Sequence, residues 1–106
     1  MSDITRVVFR VWREKGGDVF ALFPGLPTDY LGRFCSCYEH TGQHSSADYG
    51  HCIRLSRPAT HEEARDLAHE LTGRGYKLQA IQRRTKRDRD DYAAAFRELA
   101  QKGAEA

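Results

Sequence analysis

The chain has 106 residues, of which 40% are hydrophobic and 30% are charged, and its formal net charge is +2 at pH 7. This length fits one domain, residues 1–106, and excludes a second core, while the hydrophobic content excludes a disordered chain. No apolar run approaches the roughly 20 residues of a membrane span, and charges within the apolar N-terminal stretch argue against a signal peptide. We therefore expect a cytoplasmic protein with no membrane contact, whose oligomeric state stays open.

The first half of the chain predicts four strands separated by turns and loops. The predicted strands are residues 4–13, 19–23, 33–40 and 51–56, and the predicted loops are residues 24–32 and 41–50. Alternation places Val7, Phe9 and Val11 on one face of the first strand. Gly16 and Gly17 supply the positive φ that a hairpin turn into the second strand requires.

The second half of the chain changes to a helical period. Thr60 and Glu63 have the spacing of a capping box at the start of a helix. The apolar stripe of this helix consists of Ala64, Leu67, Ala68 and Leu71. Residues 76–82 predict a fifth strand, and a second stripe that begins at Tyr92 predicts a last helix, with residues 103–106 as a frayed tail. The order ββββαβα predicts an α+β fold, a small and mostly antiparallel twisted sheet with the helices packed on one face.

All three cysteines and three of the five histidines lie within residues 33–52. Cysteine and histidine are zinc ligands, but the spacing C-x-C-x2-H-x3-H-x6-H-C lacks the paired knuckles of zinc sites. In an extended segment Cys35 and Cys37 share one face, whereas His40 lies on the opposite face. We therefore expect thiols that pack as small apolar groups, and no metal or cofactor.

The polar stretch 38–49 allows three interpretations. Loops held on a sheet commonly carry binding function, and this stretch offers donors, acceptors and aromatic rings to a polar ligand, a protein or a nucleic acid. The candidate binding residues are Tyr38, His40, Gln43, His44, Ser45, Ser46, Asp48 and Tyr49. The alternative is a small hydrolase or metal-dependent enzyme that uses His40, His44 and Asp48, although a triad is defined by geometry and not by adjacency. In the third interpretation the tyrosines fill the core and the glycines form turns.

Two strings in the first half resemble a known group of proteins. They are GDVFALFP, residues 17–24, and YEHTGQHSSADY, residues 38–49. Both are similar to strings of the types G-D-x-x-A-L-F-P and Y-x-H-x-G-Q-H-x-x-A-x-Y in a family of short bacterial proteins of mobile elements, namely phages, plasmids and integron cassettes. The family has no established activity, so the resemblance carries over no catalytic residue. It implies a stand-alone accessory protein with a distinctive element within residues 38–49.

Basic residues are concentrated near the last helix, because residues 74–89 contain seven lysines and arginines against one aspartate. Clustered basic side chains neutralise phosphates, so the segment 83–89 predicts a surface for an anionic ligand. The candidate residues are Arg83, Arg84, Lys86 and Arg87. The alternatives are a solvated connector, whose arginines pair with Asp88, Asp90 and Asp91, and docking to an acidic protein. Together the two segments predict a small binding protein whose partner is a protein or nucleoprotein, with nucleic acid among the candidate ligands.

Overall fold

A computed structural model of the chain describes residues 4–14, 17–28, 32–39 and 43–105. Within these ranges the strands are β1 (Ile4–Trp12), β2 (Val19–Pro27), β3 (Cys35–Glu39), β4 (Gln43–Ala47), β5 (Ser56–Pro58) and β6 (Lys77–Ala80). The helices are α1 (Tyr49–Arg54), α2 (His61–Gly73) and α3 (Lys86–Glu105). The α+β fold that the sequence predicts is therefore the one observed.

The six strands form one sheet in the order β4-β3-β2-β1-β5, and each neighbouring pair in this order is antiparallel. β6 adds the one parallel pair, because it runs beside residues 4–7 of β1. The N–H of Ala59 donates to the carbonyl of Phe9, and the N–H of Ile81 donates to the carbonyl of Val7. Carbonyls two residues apart in a strand face the same edge, so β5 and β6 lie end to end along one edge of β1.

Both faces of the sheet are apolar at β1 and β2, and each carries its own core cluster. One cluster contains Val8, Phe20, Leu22, Cys35, Cys37, Ala47, Tyr49 and Cys52. The other contains Val7, Ala21, Phe23, Tyr38, Leu67 and Leu71. The alternation predicted for β1 is thus confirmed, with Val7 and Val8 on opposite faces.

The helices cover both faces, so the prediction that they pack on one face was wrong. α2 contributes Leu67 and Leu71 to the second cluster, whereas α1 contributes Tyr49 and Cys52 to the first. Tyr92 of α3 also packs against the first cluster. The physical reason is that a sheet buried on both faces needs a layer of side chains on each side to exclude water.

The segment 43–58 differs most from its prediction. The residues expected to form a loop include β4, which pairs antiparallel with β3, and the expected strand 51–56 is mainly α1. α1 begins after Asp48, whose side chain accepts a hydrogen bond from the N–H of His51. The first N–H groups of a helix have no partner within the helix, and the Asp48 carboxylate supplies one. This capping favours a helix over a strand at this position. Only Ser56 of the expected strand lies in a strand, namely the three-residue β5.

The ends of β2 and α3 differ from the prediction, whereas the predicted capping box is confirmed. β2 continues to Pro27, through a shift in register between Phe23 and Pro27. α3 continues to Glu105 and so includes residues 103–105 of the predicted tail. The capping box of α2 is present, with Thr60 and Glu63 exchanging hydrogen bonds.

Gly17 has the positive φ of 74° that was expected in the turn after β1. Other predicted features lie outside the described residues, among them the positions Gly16, His40 and Gly42. Among the helices that the structure does describe, none combines the length and the apolar character that crossing a membrane would require.

Candidate anion-binding cleft

Tyr38, the first residue of the polar stretch, is part of the core. Its side chain is fully buried in the cluster under α2, and its hydroxyl donates a hydrogen bond to the carboxylate of Glu70. The guanidinium of Arg74 lies 5.6 Å from the centre of the Tyr38 ring. Burial, followed by the hydrogen bond to Glu70, raises the pKa of the Tyr38 hydroxyl. Such a side chain holds α2 to the sheet and offers no surface to a ligand.

The two residues at the other end of the stretch, Asp48 and Tyr49, also have structural contacts. The Asp48 carboxylate caps α1, as described above. The Tyr49 ring is buried beneath α1, and its hydroxyl oxygen accepts a hydrogen bond of 2.6 Å from the N–H of Arg84. The Arg84 guanidinium lies over the same ring, 4.4 Å from its centre. Tyr49 therefore connects the polar stretch to the basic segment.

The middle of the stretch forms β4. Ser45 and Ser46 are exposed there, and the backbones of Gln43 and His44 are paired with β3. The hydrolase alternative requires His40, His44 and Asp48 to converge. Within the described part of the chain Asp48 is engaged at a helix terminus, His44 is placed only by its backbone, and His40 is not described. No contact among the described residues brings these groups together.

All three cysteines are buried with free thiols in the core cluster next to α1. Cys35 and Cys37 share one face of β3, as their spacing predicts. Burial is the main cause that raises the pKa of both thiols to about 12, and burial raises the pKa of the Cys52 thiol as well. Nowhere in the described ranges are three His, Cys, Asp or Glu side chains grouped as the ligands of a metal ion would be.

A cleft of about 140 Å³ lies where the start of α3 meets the entry to β3. Three arginines line it: Arg33 precedes β3, Arg84 precedes α3, and Arg89 lies in the first turns of α3. The rings of Tyr49 and Tyr92 also contribute to the lining. None of the described residues that line the cleft is acidic. The cleft is therefore a small concave site with a strongly positive wall.

Arg84 is the most constrained of the three arginines. Its side chain is half-buried, its guanidinium is stacked on Tyr49, and its Nε atom is buried. Within the described residues this Nε–H has no hydrogen-bond partner. A buried donor without a partner costs about 1–3 kcal/mol, and such groups in native proteins usually have a partner in ordered water or a ligand.

A glycine brings the chain close to α3 beside this cleft. Gly32 has a φ of +72°, a left-handed conformation that a side chain rarely adopts. A Cβ at this position would lie 3.6 Å from the ring of Phe96 on α3. Gly32 therefore lets the backbone turn tightly against α3 and place the next residue, Arg33, at the cleft.

Carboxylates near the cleft are already paired with other cations. Asp88 is fully buried, and its carboxylate lies 2.7 Å from Nε of Arg6. The N–H and hydroxyl of Thr85 both donate to Asp88 at 2.8 Å. Burial alone would raise the pKa of Asp88, but the hydrogen bonds from Arg6 and Thr85 outweigh it and hold the pKa below its usual value. Asp88 thus anchors the start of α3 as an anion that Arg6 neutralises.

The solvated-connector interpretation expected the arginines to pair with neighbouring aspartates. In the structure Asp88 pairs with Arg6, and Asp90 pairs with Lys86 at 3.0 Å. Among the described residues, neither Arg84 nor Arg89 has an ion-pair partner. The positive charge at the cleft is therefore not cancelled by the acidic residues that follow it in sequence.

The structure divides the predicted anion-binding residues. Arg84 lines the cleft, whereas Arg83, Lys86 and Arg87 are exposed and lie outside it. Sequence reasoning did not include Arg33 or Arg89 in the candidate set. Arg89 was within reach, because it belongs to the same basic segment, but Arg33 is distant in sequence and gave no local signal.

No protein-family model matches this chain, and neither curated proteins nor solved structures show a significant similarity to it. The resemblance to the proteins of mobile elements therefore stays a prediction. The functional argument depends on the geometry of the chain's own residues.

Proposed function

We propose that the chain is a small binding protein that holds a phosphate-bearing partner, a nucleic acid or nucleoprotein, at the arginine cleft. The observation that carries this proposal is the convergence of Arg33, Arg84 and Arg89 on one cleft whose described lining contains no acidic residue. The position of the Arg84 guanidinium over the Tyr49 ring supports it, because the contact holds that group in one orientation at the cleft.

Arginine suits this role better than lysine. Its planar guanidinium presents donors in a fixed fork that matches two oxygens of a phosphate, and stacking on an aromatic ring orients that fork. Arg84 has such an orientation from Tyr49. The volume of the cleft, about 140 Å³, equals that of several water molecules at roughly 30 Å³ each, so a group of phosphate size fits it.

The exposed basic residues extend this site. Arg83, Lys86 and Arg87 surround the start of α3 and add positive potential that steers a polyanion toward the cleft. Ser45 and Ser46 on β4 offer hydroxyls for further polar contacts, in keeping with the recognition role proposed for the stretch 38–49. Contacts with phosphate position a nucleic acid without reading its bases, so the proposed binding is independent of sequence.

The experiment is a salt titration of binding to labelled single-stranded and duplex DNA. The test variant replaces the three cleft residues, Arg33, Arg84 and Arg89, with Gln. The matched control removes the same charge elsewhere, and its substitutions are Arg65→Gln, Arg97→Gln and Lys102→Gln. All three control positions are exposed, and none lines the cleft.

If the three arginines contact three phosphates, the slope of log K against log salt for duplex DNA falls in magnitude by about 2.7 in the test variant. The control variant keeps the wild-type slope. A single Arg84→Lys variant retains the charge but loses the fork, and we expect it to weaken binding without changing the slope. Equal slopes for the cleft variant and the control would refute the proposal, provided that thermal melting shows both variants to be folded.

A further inference from the structure

A second and larger concavity lies on the other face of the sheet, between α2 and β6. It is a groove of about 690 Å³, open along one side. Phe9, Leu78 and Ile81 line it from the sheet, and Ala64 and Ala68 line it from the helix. None of these residues belongs to the arginine cleft. The groove is a separate site with an apolar floor.

The groove exists because of where α2 carries its large side chains. Leu67 and Leu71 are buried against the sheet and hold the helix in place. The stripe of α2 that faces β6 carries Ala64, Ala68 and Thr72, which are small and leave space unfilled. β5 and β6 lie end to end along the same edge of β1, with a gap between them. Phe9 lies beside this gap and forms part of the floor of the groove.

The charged residues on the rim of the groove carry one sign. Arg65 and Lys77 line it, together with His61 and His69, and no acidic residue is among its described lining. The acidic residues of α2 lie elsewhere on the helix, where Glu63 pairs with Arg57 and Glu70 accepts the hydrogen bond of Tyr38. An apolar floor with a cationic rim is complementary to a ligand that has both apolar groups and negative charge.

The strand beside the groove has a free edge. β6 pairs with β1 along residues 77–80, and in the described part of the chain no strand pairs with its other edge. Backbone donors and acceptors on such an edge accept an added strand. A small molecule in a pocket typically has 70–90% of its surface buried. A groove open along one side is better suited to a peptide, which also uses the strand edge.

We propose that the groove between α2 and β6 binds an extended peptide with alternating apolar and acidic residues, which adds to β6 as a further strand. Apolar side chains of the peptide fill the space over Ala64 and Ala68. Its acidic side chains alternate to the other face of the added strand, toward Lys77, and Arg65 on the rim adds positive potential that attracts them. This inference is independent of the function proposed for the arginine cleft.

The experiment selects ligands from a displayed library of random nine-residue peptides, with the wild-type chain as bait. The blocking variant is Ala68→Trp, which fills the groove. The charge variant combines Arg65→Glu with Lys77→Glu and leaves the groove open. The cleft variant with Arg33, Arg84 and Arg89 replaced by Gln serves as the matched control.

We expect enriched peptides to alternate apolar and acidic residues, and their affinity to fall about tenfold in the charge variant. Binding should be lost in the blocking variant and unchanged in the control, and bound peptide should slow amide exchange within residues 77–80. The proposal is overturned if no sequences are enriched, if enriched sequences bind Ala68→Trp equally well, or if they lack acidic residues. It is also overturned if dodecanoate shifts the amide resonances of the groove while no peptide does.

Discussion

The two faces of the sheet are equally buried at β1 and β2, yet they leave cavities of very different size. On the face under α1 and α3 the space is filled by aromatic side chains, including Trp12 stacked on Phe20 with ring centres 4.0 Å apart, and the cleft there measures about 140 Å³. On the face under α2 two leucines hold the helix, and the groove beside it measures about 690 Å³.

The covering helix, more than the sheet, therefore determines what each face can bind. Both concavities are lined by basic residues, but three arginines line the small cleft, whereas the larger groove combines an apolar floor with a few charged side chains. The first arrangement favours a compact anion such as phosphate. The second favours a ligand whose apolar groups enter while its charges stay outside.

The largest expected effect comes from removing the anchor of α2. We expect Leu71→Ala to lower the free energy of unfolding by about 3 kcal/mol, because it leaves a cavity at a fully buried position. Ala68→Leu fills the neighbouring groove, and we expect it to change stability by less than about 1 kcal/mol. Chemical denaturation of both variants measures the contrast. Equal losses would show that the groove is part of the packed core.

The anchor of α3 on the opposite face is electrostatic. We expect Asp88→Ala to lower the free energy of unfolding by about 2–3 kcal/mol, since it leaves Arg6 and Thr85 without their buried acceptor. The pKa of Asp88 is depressed in the folded state, so its contribution is present above the ordinary aspartate pKa and is lost as pH falls below it.

The difference in stability between the wild type and Asp88→Ala should therefore be largest near pH 7 and narrow progressively below about pH 4. Urea denaturation at a series of pH values measures this difference. A difference that stays constant down to pH 2 would mean that packing of Asp88, and not its charge, holds the start of α3.

Much of this fold could be predicted from its sequence because local signals agreed with long-range packing. The alternation in β1 and the apolar stripe through Leu71 each identify the buried face of an element. The capping box at Thr60 identifies the start of α2. The region 43–58 was predicted wrongly because its signals conflict. Small polar residues that suggest a loop form the edge strand β4, where one side of the ladder is open and polar side chains stay in water.

The candidate sites could be predicted only in part. The basic segment was visible as a cluster in the sequence, and Arg84 belongs to it. The cleft also needs Arg33, which the fold brings to it from a distant position, and no pattern in the sequence records that approach. The groove exists because the side chains of α2 that line it are small. Alanines in an apolar stripe look the same in a sequence whether they pack tightly or leave a gap.

A smaller effect should follow from the contact between Tyr49 and the basic segment. We expect Tyr49→Phe to lower the free energy of unfolding by about 1 kcal/mol, because the N–H of Arg84 loses its acceptor while the ring still packs. Tyr38→Phe is the matched control, since its hydroxyl donates to Glu70 on the opposite face of the sheet and its ring does not line the cleft. Only Tyr49→Phe should also weaken DNA binding, through a less well ordered Arg84.

The smallest effect on folding concerns the buried thiols. The pKa of Cys35 and Cys37 is raised to about 12 by burial, so at pH 8 roughly one thiol in 10⁴ is ionised and reactive. We expect a disulfide reagent at pH 8 to leave both thiols unmodified in the native protein and to modify them promptly in urea. The fold itself should be unchanged by the exposure to reagent.

The same shift has a consequence for stability at high pH. A thiol whose folded pKa is raised stays protonated in the folded state after the unfolded chain has ionised, so the unfolded state is favoured as pH rises from about 9 toward 12. Replacing Cys35 and Cys37 with Ala removes this term, and the variant should lose less stability than the wild type between pH 8 and pH 10.5. Prompt modification of the native thiols at pH 8 would contradict this account. It would show that the face under α1 and α3 opens to solvent more readily than its close packing suggests, and that the contrast between the two faces is smaller in solution.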